Sequence, residues 1–117
     1  MSRFLKRQNP RIRCIAVEPQ GAEVLAGKRL TKPEHLLQGI GYGFVPPQWD
    51  PGLADEFIAI SDEEATRFRR VLAEKEGLHV GYSAAANVCA AVKLVESSRL
   101  DEAATVATVL CDTGLKY

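Results

Sequence analysis

The stretch EFIAISDEEATRFRRVLAEKEGLHVGYSAAANVCAAVKLVESS, residues 56–98, contains the alternation of segments that decides the fold. The pattern predicts four elements here: a strand at 56–60, a helix at 62–76, a strand at 78–81 and a helix at 83–97. Ser61 and Glu64 have the spacing of a capping box, and Gly77 is a typical C-terminal stop for the first helix. Strands that alternate with helices predict right-handed crossovers and a mostly parallel sheet.

The sequence on either side extends this pattern. It predicts a helix at Ser2–Gln8, a strand at 12–17, a short helical turn at Gly21–Leu25, and a last strand at 105–111 after a lead-in at 102–104. Residues 26–52 show no period and are rich in glycine and proline, and so long a loop is usually functional. The predicted class is α/β, a three-layer, mostly parallel sheet with helices on both faces, formed by residues 1–117 as a single domain.

Each of the two long helices has a predicted core face. In the first, Ala65, Phe68 and Leu72 recur at helical spacing, as the buried stripe of an amphipathic helix does. The second helix is apolar over most of its length. Its predicted core residues are Ala84, Val88, Ala91 and Val95.

Composition excludes several classes of protein. Fifteen basic and fifteen acidic residues give a net charge of zero, which argues against a nucleic-acid binder or a polybasic membrane-surface protein. Apolar residues make up 46% of the chain, enough to build a core and to disfavour disorder. No apolar run approaches the ~20 residues of a membrane helix, and the N-terminal residues lack the apolar region of a secretory signal.

The cysteines and histidines do not indicate a disulfide framework or a metal site. Cys14, Cys89 and Cys111 are widely spaced in apolar runs and odd in number, so we predict buried free thiols and a cytoplasmic location. His35 and His79 lie far apart without zinc-binding spacing, and no metal site is predicted.

Three segments follow predicted strands, at the edge where parallel sheets bind ligands: Gly39–Gly43, Gly81–Ala85 and Cys111–Gly114. Each also has a purely structural interpretation. The glycines could be needed only for chain turns, Ser83 could be a helix N-cap, and the polar residues 112–113 could form a turn. The residues themselves therefore predict an α/β domain with a ligand-type edge and leave its chemistry open.

Six segments, in this order, resemble motifs of the cysteine synthase and cystathionine β-synthase family, the β-family of pyridoxal-phosphate enzymes. They are VEP at 17–19, HLLQGIGYGFVP at 35–46, DE at 55–56 with SDEEA at 61–65, EGL at 76–78, GYSAAA at 81–86 and DTGLKY at 112–117. The block at 35–46 is similar to H-x-x-Q-G-I-G-x-G-F-[IV]-P and is the most specific. The resemblance spans residues 2–117.

This resemblance implies roles for five residues. Ser83 matches the serine whose hydroxyl bonds the pyridine nitrogen of the cofactor, pyridoxal phosphate. Gly39, Ile40, Gly41 and Tyr42 match the loop that lines the amino-acid substrate pocket. The family reaction is β-replacement, in which O-acetylserine loses its β-substituent and sulfide or another thiol adds. The QGIG block favours cysteine synthase descent, and Tyr42 is compatible with cystathionine β-synthase descent.

Other family motifs have no counterpart here. The Schiff-base lysine, the substrate-carboxylate loop and the phosphate cradle precede the VEP strand in the family, and Lys6 and Lys28 do not match the lysine's context. Ala85 also stands where the family has glycine. We therefore expect a C-terminal portion of a cysteine-synthase-like fold with no catalytic residue of its own. Binding of pyridoxal phosphate should be weak or absent, and turnover by the chain alone is not expected.

Two alternatives from other classes remain open. The chain could be a small non-catalytic α/β binding or interaction module, or one half of a split enzyme. The expected partners are a second copy of the chain or a missing N-terminal half, together with a small amino-acid substrate by resemblance, and neither nucleic acid nor membrane.

Overall fold

The computed structural model describes residues 1–97, 100–101 and 103–117. Its helices and strands are, in chain order, α1 (Ser2–Gln8), β1 (Ile15–Pro19), β2 (Glu56–Ile60), α2 (Asp62–Glu76) and α3 (Tyr82–Glu96). Short 3-10 turns lie at Pro51–Leu53 and Gly114–Lys116. Ser98, in the quoted stretch, and Glu102, in the predicted lead-in to the last strand, lie outside the described residues.

The two strands pair in parallel. Ile15 lies opposite Glu56, and Pro19 lies opposite Ile60, so both strands end at the same edge of the sheet. The predicted α/β class with a parallel sheet is confirmed. The first strand begins later than predicted, because the Ile12 N–H donates to the Asn9 carbonyl and closes a turn.

Two predicted strands are wrong. In the segment 78–81, Val80 forms an isolated antiparallel bridge with Thr113. Residues 105–111 adopt no regular structure and are exposed, although their sequence is β-branched and apolar. A strand requires a neighbouring strand to satisfy its backbone groups, and no described residue supplies one beside either segment.

Helix α2 forms over its predicted bounds because its signals are local. The Glu64 N–H donates to the Ser61 hydroxyl at 3.1 Å, and the Ser61 N–H donates to the Glu64 carboxylate at 2.9 Å. These two bonds complete the predicted capping box. At the other end, Gly77 adopts a left-handed conformation with φ of 68°, which ends the helix as predicted.

The core lies where α2 and α3 pack together against one face of the sheet. Its largest cluster contains Leu37, Ile60, Ala65, Ala86, Cys89 and Ala90. The face predicted for α2 is confirmed, since Ala65 and Leu72 are buried and Phe68 packs against the cluster. The face predicted for α3 is partly wrong: Val95 is exposed, and Leu94 is buried in its place. Two clusters contact α3, so its buried surface is wider than a single stripe.

The cysteines are free thiols, as predicted, but they are not all buried. Cys89 is buried, Cys14 is partly buried and Cys111 is exposed, because the segment that carries Cys111 has no neighbouring strand to cover it. Burial raises the pKa of Cys89, and partial desolvation of the sulfur together with the neighbouring Asp112 carboxylate raises the pKa of Cys111, so neither has the lowered pKa of a reactive thiol. Among helices in the described residues, none combines the length and apolar character needed to cross a membrane.

Candidate functional site

Ser83 lies at the start of α3, beside the glycine-rich loop. It is 2% exposed, and its hydroxyl donates a hydrogen bond of 2.6 Å to the Gln38 carbonyl. The Ser83 N-cap interpretation is wrong, because α3 begins at Tyr82 and Gly81 occupies the N-cap position. The Ser83 hydroxyl instead links α3 to Gln38, the residue directly before Gly39. The structure thus brings together the two groups of site residues that the sequence singled out separately.

Asp112 caps α3 from a distant part of the chain. Its carboxylate accepts hydrogen bonds from the Ser83 N–H at 3.2 Å and from the Ala84 N–H at 2.8 Å. The Tyr117 hydroxyl donates to the same carboxylate at 3.3 Å. A carboxylate at a helix N-terminus also stabilises the positive end of the helix dipole. Asp112 is therefore a positioning residue for Ser83, a role that its place after a predicted strand did not reveal.

An arginine and two aromatic rings surround this helix start. The Arg69 guanidinium lies 4.2 Å from the ring centre of Tyr82 and 5.5 Å from that of Tyr117, and its Nε donates to the Val80 carbonyl. The two rings meet edge to face at 5.0 Å. These contacts fix the turn that leads into Ser83, and the turn connects residues far apart in sequence.

The four predicted substrate-loop residues occupy different environments. Gly39 and Gly41 have φ values of 85° and 64°, in the left-handed region that favours glycine. Ile40 is partly buried and packs against the main core cluster. Tyr42 is 63% exposed and stacks on Phe44, with ring centres 5.8 Å apart. The loop therefore has one side anchored in the core and one side open to solvent.

Gly41 sits in a close contact between β1 and His35. The His35 Nε2 atom lies 2.9 Å from the Gly41 carbonyl and donates to it, since a carbonyl only accepts. An added Cβ at Gly41 would lie 2.7 Å from His35 Nε2 and would meet the ring of Pro19. At Gly39 an added Cβ would meet nothing within 4 Å. The two glycines thus share a conformation, but close packing restricts Gly41 alone.

Asp62 holds the loop from the first turn of α2. Its carboxylate accepts from the Leu36 N–H at 2.9 Å and pairs with the Lys32 ammonium at 2.8 Å. Burial alone would raise the pKa of Asp62, but the bonds from Lys32 and Leu36 outweigh burial and hold that pKa below its usual value. The ionised carboxylate is therefore the form that organises the loop.

Glu18 is a buried carboxylate that the sequence reasoning treated as part of a strand end. It is 2% exposed, and it accepts hydrogen bonds from the Leu25 and Ala26 N–H groups at 3.0 and 3.1 Å. Burial raises the pKa of Glu18. Residues 24–27 form a hydrogen-bonded turn, closed by the bond from the Gly27 N–H to the Val24 carbonyl, and the helical turn predicted at Gly21–Leu25 does not form. The sequence signal that could have indicated this role was an acidic residue at the end of an apolar strand.

A glycine-rich loop after a parallel strand, closed onto a helix N-terminus by a buried hydroxyl, is an arrangement typical of α/β proteins with a ligand site at the carboxyl edge of the sheet. Residues 1–112 match the model of the pyridoxal-phosphate dependent enzyme family, and the chain belongs to that family.

Comparison with individual proteins narrows the similarity to cysteine synthases. The chain is 40% identical to a cysteine synthase of Helicobacter pylori over 99% of this chain and 36% of the relative. It is 32% identical to a cysteine synthase of Staphylococcus aureus over 100% of this chain and 36% of the relative. The chain thus spans about a third of the length of these curated relatives.

Solved structures show the same fold. A cysteine synthase of Entamoeba histolytica superposes with a TM-score of 0.91 at 32% identity, over 99% of this chain and 33% of that one. An O-acetylserine dependent cystathionine β-synthase of Helicobacter pylori superposes with a TM-score of 0.78 at 40% identity, over 97% of this chain and 35% of that one. The resemblance predicted from the motifs is confirmed, and the chain has part of the cysteine synthase fold.

Proposed function

We propose that this chain forms one wall of the active site of a pyridoxal-phosphate-dependent enzyme that makes cysteine from O-acetylserine and sulfide. The main support is the hydrogen bond between the Ser83 hydroxyl and the Gln38 carbonyl. This bond places Ser83, the proposed cofactor contact, directly beside residues 39–42, the proposed substrate loop. The names and fold of the relatives support the same activity. In such an enzyme the bound cofactor acts as an electron sink for the substrate.

The Ser83 hydroxyl fits a contact with the pyridine nitrogen. A hydroxyl has one rotatable hydrogen, which Ser83 donates to the Gln38 carbonyl here and which can turn instead to an unprotonated ring nitrogen. The two hydrogen bonds from Ser83 and Ala84 to Asp112 fix the backbone that carries this hydroxyl. Ser83 is therefore proposed to orient the cofactor ring through one neutral hydrogen bond.

The loop residues Gly39, Ile40, Gly41 and Tyr42 are proposed to bind the amino-acid substrate. Glycine backbone lets a ligand approach N–H groups closely, and the core contact of Ile40 holds this backbone in place. The exposed ring of Tyr42 covers the solvent side. A second form of the reaction is proposed from the name of the O-acetylserine dependent cystathionine β-synthase of Helicobacter pylori. In this form a thiol larger than sulfide adds to the same substrate.

We further propose that residues 1–117 act as one domain in the cytoplasm, together with the rest of the family fold or with a second copy of the chain. The three free thiols support a reducing compartment. The relatives are about three times as long as the chain, which supports a larger working assembly. The competing proposal is a non-catalytic module, which would work without the rest of the family fold.

The isolated chain is expected to bind pyridoxal phosphate weakly and to turn over no O-acetylserine. One neutral hydrogen bond contributes about 0.5–1.5 kcal/mol, whereas micromolar affinity needs about 8 kcal/mol. The Lys6 side chain is held in an ion pair with Asp55 at 2.6 Å, away from Ser83 and the loop 39–42 in sequence and in partner. The test is to mix chain and cofactor, reduce with borohydride and map the label by peptide mass. We expect scattered, substoichiometric labelling.

Stoichiometric labelling of a single lysine, accompanied by cysteine formation, would overturn the proposal that the catalytic lysine lies outside this chain. Bovine serum albumin treated identically gives the background for nonspecific lysine labelling. The Ser83→Ala variant provides a matched control, because loss of the hydroxyl should leave a nonspecific label unchanged.

A further inference from the structure

Arg69 is a partly buried cation on the side of α2 that faces the start of α3. Its guanidinium lies 4.2 Å from the ring centre of Tyr82, and its Nε donates to the Val80 carbonyl at 3.1 Å. The ion pairs among the described residues do not include Arg69, so its partners there are a carbonyl and two aromatic rings. The second ring, that of Tyr117, contacts the carboxylate that caps α3.

Tyr117 connects Arg69 to Asp112. The Tyr117 ring centre lies 5.5 Å from the Arg69 guanidinium, and the Tyr117 hydroxyl donates to Asp112 Oδ2 at 3.3 Å. Desolvation and the neighbouring Asp112 carboxylate raise the pKa of Tyr117, so the phenol keeps the proton that it donates. The carboxylate is therefore held from outside α3 by a ring that a cation–π contact fixes in place.

The Asp112 carboxylate also holds the backbone of α3. Its Oδ2 accepts from the Ser83 N–H, and its Oδ1 accepts from the Ala84 N–H. These two amides lie in the first turn of the helix, where no helix carbonyl is available to them. An added Cβ at Gly81 would meet both the Asp112 carboxylate and the Tyr117 ring, so the three groups are in close contact. A shift of the Tyr117 ring therefore disturbs both bonds to the helix start.

We infer that Arg69 is a positioning residue for Ser83. Arg69 holds the Tyr117 ring, and the Tyr117 hydroxyl holds the Asp112 carboxylate. The carboxylate in turn fixes the backbone that carries the Ser83 hydroxyl, the proposed cofactor contact. This role rests on the proposed function only in its effect on the cofactor, since the contacts are present in the chain alone. An arginine suits the role because its planar guanidinium stacks on a ring while its Nε donates a hydrogen bond.

Amide hydrogen exchange of the 117-residue chain, followed by NMR, tests this role. Arg69→Met removes the charge and the Nε donor and keeps a flexible apolar side chain. The Ser83 and Ala84 amides should then exchange at least about tenfold faster, because their bonds to Asp112 open more often. The Ala90 amide in the middle of α3 should change by less than about twofold, because it bonds within the helix.

Equal acceleration at all three amides would overturn the inference, because Arg69 would then contribute only to overall stability. Unchanged exchange at Ser83 and Ala84 would overturn it as well. The matched control is Arg67→Met on the same helix, since the Arg67 guanidinium lies 5.5 Å from the ring centre of Phe68. This control should leave the two amides unchanged, and an effect equal to that of Arg69→Met would also overturn the inference.

Tyr117→Phe tests the connecting step with a change that preserves the fold, since it deletes one hydroxyl from an exposed ring. It should accelerate the same two amides, because Asp112 loses the bond from Tyr117. If Arg69 acts through Tyr117, the two substitutions together should accelerate exchange by less than the product of their single effects. Effects that multiply would show that Arg69 acts by another route and would overturn the inference.

The effect on the cofactor is measured in a chimera in which this chain replaces the segment it matches in the Helicobacter pylori cysteine synthase. Arg69→Met should raise the dissociation constant for pyridoxal phosphate by up to about tenfold, the worth of one neutral hydrogen bond. It should have no such effect when Ser83→Ala is already present. An effect of equal size with and without Ser83→Ala would overturn the inference.

The inference and the proposed function can fail separately. If Ser83→Ala does not weaken cofactor binding while Arg69→Met still accelerates the Ser83 and Ala84 amides, the proposed role of Ser83 fails alone. If Ser83→Ala weakens binding and the two amides do not respond to Arg69→Met, the inference fails alone.

Discussion

Leu37→Ala is expected to lower the free energy of unfolding by about 2–5 kcal/mol, because it deletes one of the largest fully buried side chains. Leu37 belongs to the main core cluster with residues of β2, α2 and α3, although it lies in a long loop. Typical domains are stable by only about 5–15 kcal/mol, so this loss is a large fraction of the total. Urea unfolding followed by circular dichroism measures it.

Leu36→Ala is the matched control, since it removes the same atoms from the neighbouring residue. Leu36 is 40% exposed, and the bond from its backbone N–H to Asp62 does not depend on the side chain. Its variant should lose less than about 1 kcal/mol. Equal losses in the two variants would show that Leu37 does not anchor the loop in the core.

Gly41→Ala is expected to cost about 2–4 kcal/mol of stability, and Gly39→Ala only about 1 kcal/mol. Both residues have positive φ, so an alanine at either position bears the strain of a left-handed conformation. At Gly41 the added methyl group must also displace Pro19 or His35, and such overpacking costs about 1–3 kcal/mol more. The comparison therefore separates crowding from backbone strain.

The same unfolding measurement on both variants checks this prediction. In a chimera in which this chain replaces the segment it matches in the Helicobacter pylori cysteine synthase, Gly41→Ala should also weaken binding of O-acetylserine more than Gly39→Ala does, because the Gly41 carbonyl would lose its bond to His35. Similar losses of stability for the two variants would contradict the close contact at Gly41.

Elements with local signals could be predicted from the sequence, and elements that depend on distant partners could not. The capping box at Ser61 and the glycine at position 77 fixed α2 at its predicted bounds. The segment 105–111 has the composition of a strand, but a strand also needs a neighbour, and no described residue provides one. Sequence pattern alone does not report whether such a neighbour is present.

The candidate site shows the same division. The loop glycines and Ser83 were singled out by their position near strand ends and given roles by resemblance to family motifs, and the structure brings them together through Gln38. The sequence reasoning did not predict that two carboxylates, Asp112 and Asp62, position the site. Asp112 acts across more than twenty-five residues on α3, and Asp62 acts on a loop that precedes it by a similar distance. Hydrogen bonds between positions this far apart leave no local periodicity to read.

Turnover of O-acetylserine and sulfide by the chimera tests the central claim most directly. If this chain forms one wall of the active site, the chimera makes cysteine, and Ser83→Ala lowers its rate while circular dichroism shows the same fold. The unmodified Helicobacter pylori enzyme sets the reference rate. A folded chimera that binds pyridoxal phosphate but makes no cysteine, or one whose rate does not depend on Ser83, would contradict the account.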